Sequence, residues 1–276
     1  MAKKKQKLTV ACLQLNSKQS VSNNLVNTKK YINKACDRGA DLIVTPEISN
    51  IVSLSKRHLL NNTFLEKKDP FLIEIKQLAK RRSVWILLGS IIIKDEKSNL
   101  YNRSYLISSS GRIVCKYDKI HMFDVNISKD ESYKESKIFT KGKKIITAKL
   151  PWGRIGMSIC YDLRFPALYS KLCSKGASMI SIPAAFTRPT GKSHWYTLIK
   201  ARAIENLSFV FAPAQCGINS STRKTYGHSM IVSPWGEVIA EMKGNPGIIL
   251  AKIDLSEVSK ARKKIPSYKG TPIEKK

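Results

Sequence analysis

From Leu8 onward, short runs rich in β-branched and aromatic residues alternate with stretches whose apolar residues recur every three or four positions, and no Ser/Gly/Pro-rich linker interrupts them. Interleaved strand and helix periodicities restrict the chain to layered α/β architectures in which helices cover sheets. The run Leu8–Leu15 reads as a first strand. Ser20 caps a helix with apolar positions Val21, Leu25, Ile32 and Ala35 that stops near Gly39, and the segment from Asp41 to Thr45 follows as a buried strand. Asp69 caps a second helix with Pro70 at its first position and Leu72, Ile73, Ile75 and Leu78 as its apolar face. That helix leads into a strand from Trp85 to Ile93. Strands Tyr101–Ile107 and Arg112–Lys116 are joined by Ser108-Ser-Ser-Gly111 as a hairpin. Further hairpins turn at Pro151-Trp-Gly153 and Pro234-Trp-Gly236, and between them lie helices opening near Pro166 and Ser193 and strands Met179–Ile182 and Phe209–Ala212. The expectation is one domain over residues 1–276, with a core from about 8 to 266, built as mixed sheets with helices outside.

Composition narrows the function. The formal net charge of +29 invites a nucleic-acid reading. The basic residues are mostly lysines scattered along the chain and densest at ends expected to fray, Lys3 to Lys7 and Lys260 to Lys276. No zinc-finger spacing, RNA-binding aromatic motif or basic recognition helix accompanies them, so the expectation is a Lys-rich solvated surface without a specific nucleic-acid partner. The longest apolar run, Trp85 to Ile93, has about half the length of a membrane span. The lysines before Leu8 resemble the start of a signal peptide, but Gln14 and Asn16 break the apolar region and no small-residue cleavage site follows. A cytoplasmic protein without a membrane partner is expected. Six cysteines without a C-x-x-C pair and four scattered histidines point to reduced thiols and no metal.

Three reactive side chains follow strongly β runs: Glu47 after Leu42-Ile-Val-Thr-Pro46, Lys119 after Arg112–Lys116, and Cys160 after Ile155-Gly-Met-Ser-Ile159. In layered α/β proteins ligands gather at the carboxyl ends of strands, where distant segments converge. Each residue also has a plain alternative: Glu47 as a helix N-terminal acid, Lys119 as a surface lysine, Cys160 as a packing thiol.

Four segments resemble the nitrilase, or carbon–nitrogen hydrolase, superfamily: Thr45-Pro-Glu47, Tyr117-Asp-Lys-Ile-His-Met-Phe-Asp124, Gly156-Met-Ser-Ile-Cys-Tyr-Asp-Leu-Arg-Phe-Pro166, and Tyr226-Gly-His-Ser-Met-Ile-Val-Ser-Pro-Trp-Gly236. The resemblance covers about residues 8 to 266 and is most specific at Cys-Tyr-Asp-Leu-Arg-Phe-Pro. It leans toward the Nit branch. It implies a four-layer αββα sandwich, paired into at least a dimer through outer helices that include about Pro166 to Lys175. It also implies a cofactor-free thiol amidohydrolase that cleaves small amides bearing a carboxylate with water through a thioester. The substrates it suggests are deaminated glutathione first and 2-oxoglutaramate or 2-oxosuccinamate second. A non-catalytic scaffold or polyanion-binding protein is the alternative from another class.

The resemblance assigns Cys160 as nucleophile, Glu47 as general base and acid, and Lys119 with the backbone N–H of Tyr161 as the oxyanion site. Glu135, in Tyr133-Lys-Glu-Ser136, matches the family's second glutamate and would orient the lysine and the amide; the alternative is an exposed loop acid. Arg164 would grip a substrate carboxylate. Phe186 and Thr190 would line the same pocket, or serve core packing and loop capping. His121 and Asp162 would fix loops. One departure stands out: members often carry Pro-Gly where this chain has Lys141-Gly142.

Overall fold

The computed structural model describes residues 6–128, 131–221 and 223–269. The basic residues Lys3 to Lys5, Lys275 and Lys276 lie outside them. The first strands are β1 (Lys7–Gln14), β2 (Leu42–Val44), β3 (Trp85–Lys94), β4 (Leu100–Ile107) and β5 (Ile113–Asp118). A small hairpin, β6 (Asp124–Asn126) and β7 (Ser132–Lys134), leads to β8 (Thr147–Lys149), β9 (Arg154–Met157), β10 (Met179–Ser181) and β11 (Phe209–Ala212). A second small hairpin, β12 (Cys216–Ser220) and β13 (Arg223–Tyr226), precedes β14 (Met230–Val232), β15 (Val238–Glu241) and β16 (Gly247–Asp254). The helices are α1 (Val21–Asp37), α2 (Lys56–Asn62), α3 (Pro70–Arg82), α4 (Pro166–Ser174), α5 (Arg188–Asn206) and α6 (Ser256–Lys264).

Two six-stranded sheets result, ordered β16-β1-β2-β3-β4-β5 and β15-β14-β11-β10-β9-β8. Each has three parallel strands at its centre, β1-β2-β3 or β9-β10-β11, flanked by antiparallel ones. Strand alternation sorts the side chains. Leu8, Val10 and Cys12 of β1 join one core with Ile155, Met157, Ile180 and Phe209 of the opposite sheet, whereas Ala11 and Leu13 pack with Ile32 of α1 and Phe71, Ile75 and Leu78 of α3. On the far side, Leu168 and Leu172 of α4 and Trp195 and Ile199 of α5 close the first core. The layers are helix, sheet, sheet, helix, the four-layer αββα arrangement expected.

Local chemistry accounts for most boundaries. Ser20 accepts from the Asn23 amide and Asp69 from that of Leu72, which opens α1 and α3 where expected. Corrections concern faces and starts. In α3, Ile73 is 37% exposed and Phe71 is buried in its place. In α1, Val21 and Leu25 are only half-buried, while Asn24 is buried because it pairs with Lys18 and Asn50 backbone groups. Helix α5 opens at Arg188 rather than near Ser193, with Pro189 in its first turn. Lys260, Lys263 and Lys264 are not frayed but belong to α6. The two Pro-Trp-Gly turns both make hairpins but differ in setting, since Trp152 is buried and Trp235 is 48% exposed.

Candidate active site

The three strand ends meet. Glu47 lies just past the carboxyl end of β2, Lys119 directly follows β5, and Cys160 lies just past β9, so both sheets contribute. All three line one cavity of about 360 Å³, together with Asn102, Glu135, Phe186, Thr190 and Arg223. Gly89 permits the sheets to approach here: a Cβ on it would stand 1.8 Å from the Thr45 carbonyl oxygen and 2.6 Å from Pro183 Cβ. Two residues at the site have positive φ without being glycine, Ile48 at 48° and Cys160 at 49°. A β-branched residue in the left-handed region carries strain that only a well-determined surrounding sustains. Around Ile48 it is the Ser90 hydroxyl, 2.8 Å from the Ile48 amide, and the Gln215 amide group, which donates to the Glu47 carbonyl oxygen at 2.9 Å.

Lys119 is 2% exposed and Glu47 is 3% exposed. The ammonium Nζ donates to Glu47 Oε1 at 2.9 Å and to Glu135 Oε1 and Oε2 at 2.9 and 2.8 Å. Asn102 Nδ2 donates to the same Glu47 oxygen at 2.9 Å, and the Phe123 amide to Glu135 Oε2 at 2.6 Å. Burial alone pulls the Glu47 carboxyl upward, but the Lys119 charge and hydrogen bond, aided by Cys160 and Arg223, outweigh it and hold the group below the ordinary carboxylate range. Burial likewise opposes the charge on Lys119, yet the two glutamates keep the ammonium protonated. Burial pushes the Cys160 thiol well above its ordinary range, the Glu47 carboxylate raises it further, and Lys119 only partly offsets them. The resting nucleophile candidate is therefore a neutral thiol facing a carboxylate base, not a thiolate preformed by the lysine.

The turn that carries Cys160 is held by Asp162, which is fully buried. Its Oδ2 accepts from Tyr117 Oη at 2.6 Å and from the Ile159 amide at 2.8 Å, and its Oδ1 from the His121 amide at 3.1 Å with the His121 ring 2.6 Å away. His121 stacks on Phe165 with ring centroids 3.6 Å apart. These two residues join the Lys119 and Cys160 loops, as expected of them. The departure at Lys141-Gly142 leaves the lysine in place, because the required residue there is the glycine. Its amide donates to the Lys119 carbonyl oxygen at 2.7 Å, and a Cβ would stand 2.1 Å from the Asp118 carbonyl oxygen.

The structure divides the remaining expected residues. Glu135 sits at the cavity in a short 3-10 turn, Glu135–Lys137, and is tied to Lys119 rather than free in a loop. Phe186 lines the cavity and also packs on Trp195, with centroids 4.9 Å apart. Thr190 lines it from the first turn of α5, where its hydroxyl pairs with Thr187 Oγ1 at 2.9 Å. Arg164 is not among the lining residues but lies against one of them. Its guanidinium lies over the Tyr161 and Phe186 rings, 5.9 and 5.6 Å from their centroids, and Nη2 donates to His194 Nδ1 at 3.1 Å. The Tyr161 ring is also outside the lining, edge-on to Phe123 and Phe165. Sequence reasoning missed Asn102, Gln215 and Arg223. The first begins the polar stretch Asn102-Arg-Ser104 within β4 and is buried there, a burial that a polar side chain needs a partner to sustain.

Residues 9–263 match the family model described as carbon-nitrogen hydrolase. A Dictyostelium discoideum protein named deaminated glutathione amidase is 38% identical over 263 residues, covering 92% of this chain and 90% of that protein. The crystal structure of the C. elegans NitFhit protein superposes with a TM-score of 0.92 at 33% identity, covering 98% of this chain and 66% of that one. Saccharomyces cerevisiae Nit3, described as a member of branch 10 of the nitrilase superfamily, gives 0.85 at 28% identity, covering 98% and 96%.

Proposed function

This chain belongs to the carbon–nitrogen hydrolase family, and from that premise we propose that it is a thiol amidohydrolase for small amides bearing a carboxylate, deaminated glutathione before 2-oxoglutaramate or 2-oxosuccinamate. The observation that carries the chemistry is the buried Glu47–Lys119–Glu135 cluster opening with Cys160 onto one cavity. The substrate class rests on the name of the Dictyostelium relative.

In the proposed reaction the Cys160 sulfur attacks the amide carbon as its proton passes to Glu47, forming the C–S bond and a tetrahedral oxyanion. Lys119 faces that charge. Its two contacts with Glu135 can share one N–H, which leaves a third N–H beyond the one given to Glu47, and the backbone N–H of Tyr161 is the second donor. Glu47 returns the proton to the leaving nitrogen, the C–N bond breaks, and ammonia departs. Water then loses a proton to Glu47 and adds to the thioester; the C–S bond breaks and the thiol regains its proton. No cofactor enters this sequence. Glu135 positions Lys119 and meets the amide, and Phe186 and Thr190 shape the pocket. Purified protein offered acidic amides is expected to release ammonia from them in preference to nitriles; release from nitriles alone would overturn the reading.

Assembly and location belong to the same proposal: a cytoplasmic enzyme that pairs with a second copy through outer helices. The support for pairing is exposed apolar side chains on α5 and the β14–β15 hairpin, Ile204, Trp235 and Ile239 at 48%, 48% and 42%. Light scattering is expected to give at least a dimer, and an active monomer at micromolar concentration would contradict it.

A further inference from the structure

Arg223 opens β13, on the small hairpin that β12 begins, and is 9% exposed. It lines the same cavity as Glu47 and Cys160. Its one hydrogen bond among the described residues runs from Nη2 to the Ala185 carbonyl oxygen at 2.8 Å. Its Nε is buried without a hydrogen-bond partner, and among the described residues no carboxylate lies within 4.0 Å of it. The guanidinium rests against the Tyr133 ring, 5.2 Å from the centroid.

A buried cation with an unmet donor is costly, and such groups persist where a counterion arrives later. Anchoring Ala185 needs a single donor, which leaves the rest of the fork unexplained. The cluster's charges also balance: Glu47 and Glu135 are negative, Lys119 and Arg223 positive, so an anion entering the cavity meets no net repulsion from these four groups. A planar fork with an open edge matches a carboxylate, which accepts two parallel N–H bonds. We propose that Arg223 selects for a carboxylate in the substrate, a role expected from the sequence of Arg164 alone. This rests on the amidohydrolase reading and names the group by which that site chooses its amide.

Two measurements on the intact protein test it. The first compares kcat/KM for glutaramate, which carries one carboxylate, with that for neutral pentanamide of the same chain length. In Arg223→Gln the preference for the acidic amide is expected to fall about 30-fold or more, chiefly through KM. Parallel losses on both amides would overturn the proposal and leave Arg223 a brace for Ala185. The second needs no turnover: glutarate should protect Cys160 from iodoacetamide, and protection should require about tenfold or more glutarate in Arg223→Gln and less than that in Arg223→Lys, which keeps a charge. Protection unchanged in both variants would also overturn it. Should the wild type release no ammonia from any amide while protection still depends on Arg223, the amidohydrolase reading falls and the anion site stands.

Discussion

Replacing Lys119 with alanine is expected to lower kcat by about a thousandfold and to create a pH dependence of stability above about pH 5 that Glu47 does not give the wild type. The ammonium is the cation between the buried Glu47 carboxylate and the partly buried Glu135 carboxylate, within 2.9 Å of both. With it in place, Glu47 is held below its ordinary 4.5. That ionised group therefore contributes stability present above the unfolded value and lost as pH falls through the depressed folded one. Without the lysine, burial dominates at Glu47, so its folded value rises. The variant should then be most stable in acid and lose stability as pH climbs through that raised value. Removing one partner of a buried pair costs about 3–5 kcal/mol, and the variant should unfold at lower urea concentration at about pH 8 than at about pH 5, a difference that Glu47 does not give the wild type. Lys119→Arg should lose nearly as much turnover, because a planar guanidinium cannot place a compact charge at the same point. An Arg variant retaining most of kcat would show that charge alone matters.

How far such a site can be read from sequence is clearest at individual positions. The caps Ser20 and Asp69 and the Pro-Trp-Gly hairpins are local devices, set by side chains within three residues of the backbone they satisfy, and local pattern finds them. The start of α5 was equally local, since Thr187-Arg-Pro189 holds a proline fit for a first turn, and weighting the later Ser193 passed over it. Strand β16 depends on a partner at the other end of the chain, pairing antiparallel with β1 from Lys7–Asp254 to Gln14–Gly247. No window of neighbouring residues contains that contact. The site divides the same way. Glu47, Lys119 and Cys160 were marked by their places after strands and named through family motifs, yet their spacing could not show that one ammonium would lie between Glu47 and Glu135. Arg164 is four residues from Cys160, and the turn from Cys160 to Arg164 sends its side chain over the Tyr161 and Phe186 rings, of which only Phe186 lines the cavity. Arg223 is far from the nucleophile in sequence and reaches the cavity through the β12–β13 hairpin, which meets the segment before α5 at the Thr187–Thr225 bridge.

Cys160→Ala is expected to remove turnover by about 10⁴-fold or more while leaving the fold intact. The thiol is small, and the turn it occupies is fixed by Asp162 and by the Cys160 amide, which donates to the Pro183 carbonyl oxygen at 2.9 Å whatever the side chain. The loss should fall on kcat, and the variant should still bind amide, because the cavity wall and the charged cluster remain. A Cys160→Ala protein that unfolds at much lower urea concentration would mean that the thiol matters to packing, and its activity loss would then carry little about chemistry.

All six cysteines are free thiols, and Cys12, Cys173 and Cys216 are buried like Cys160. Among the described residues, none of these three has both a carboxylate base and an ammonium beside it as Cys160 has. The most direct test of the account is therefore limited alkylation with iodoacetamide, followed by peptide mapping of every cysteine against residual ammonia release. Activity should fall in step with modification of Cys160 alone, and an acidic amide should protect both together. Full activity in protein whose Cys160 is completely alkylated would contradict the assignment of the nucleophile, and with it the mechanism built on Glu47 and Lys119.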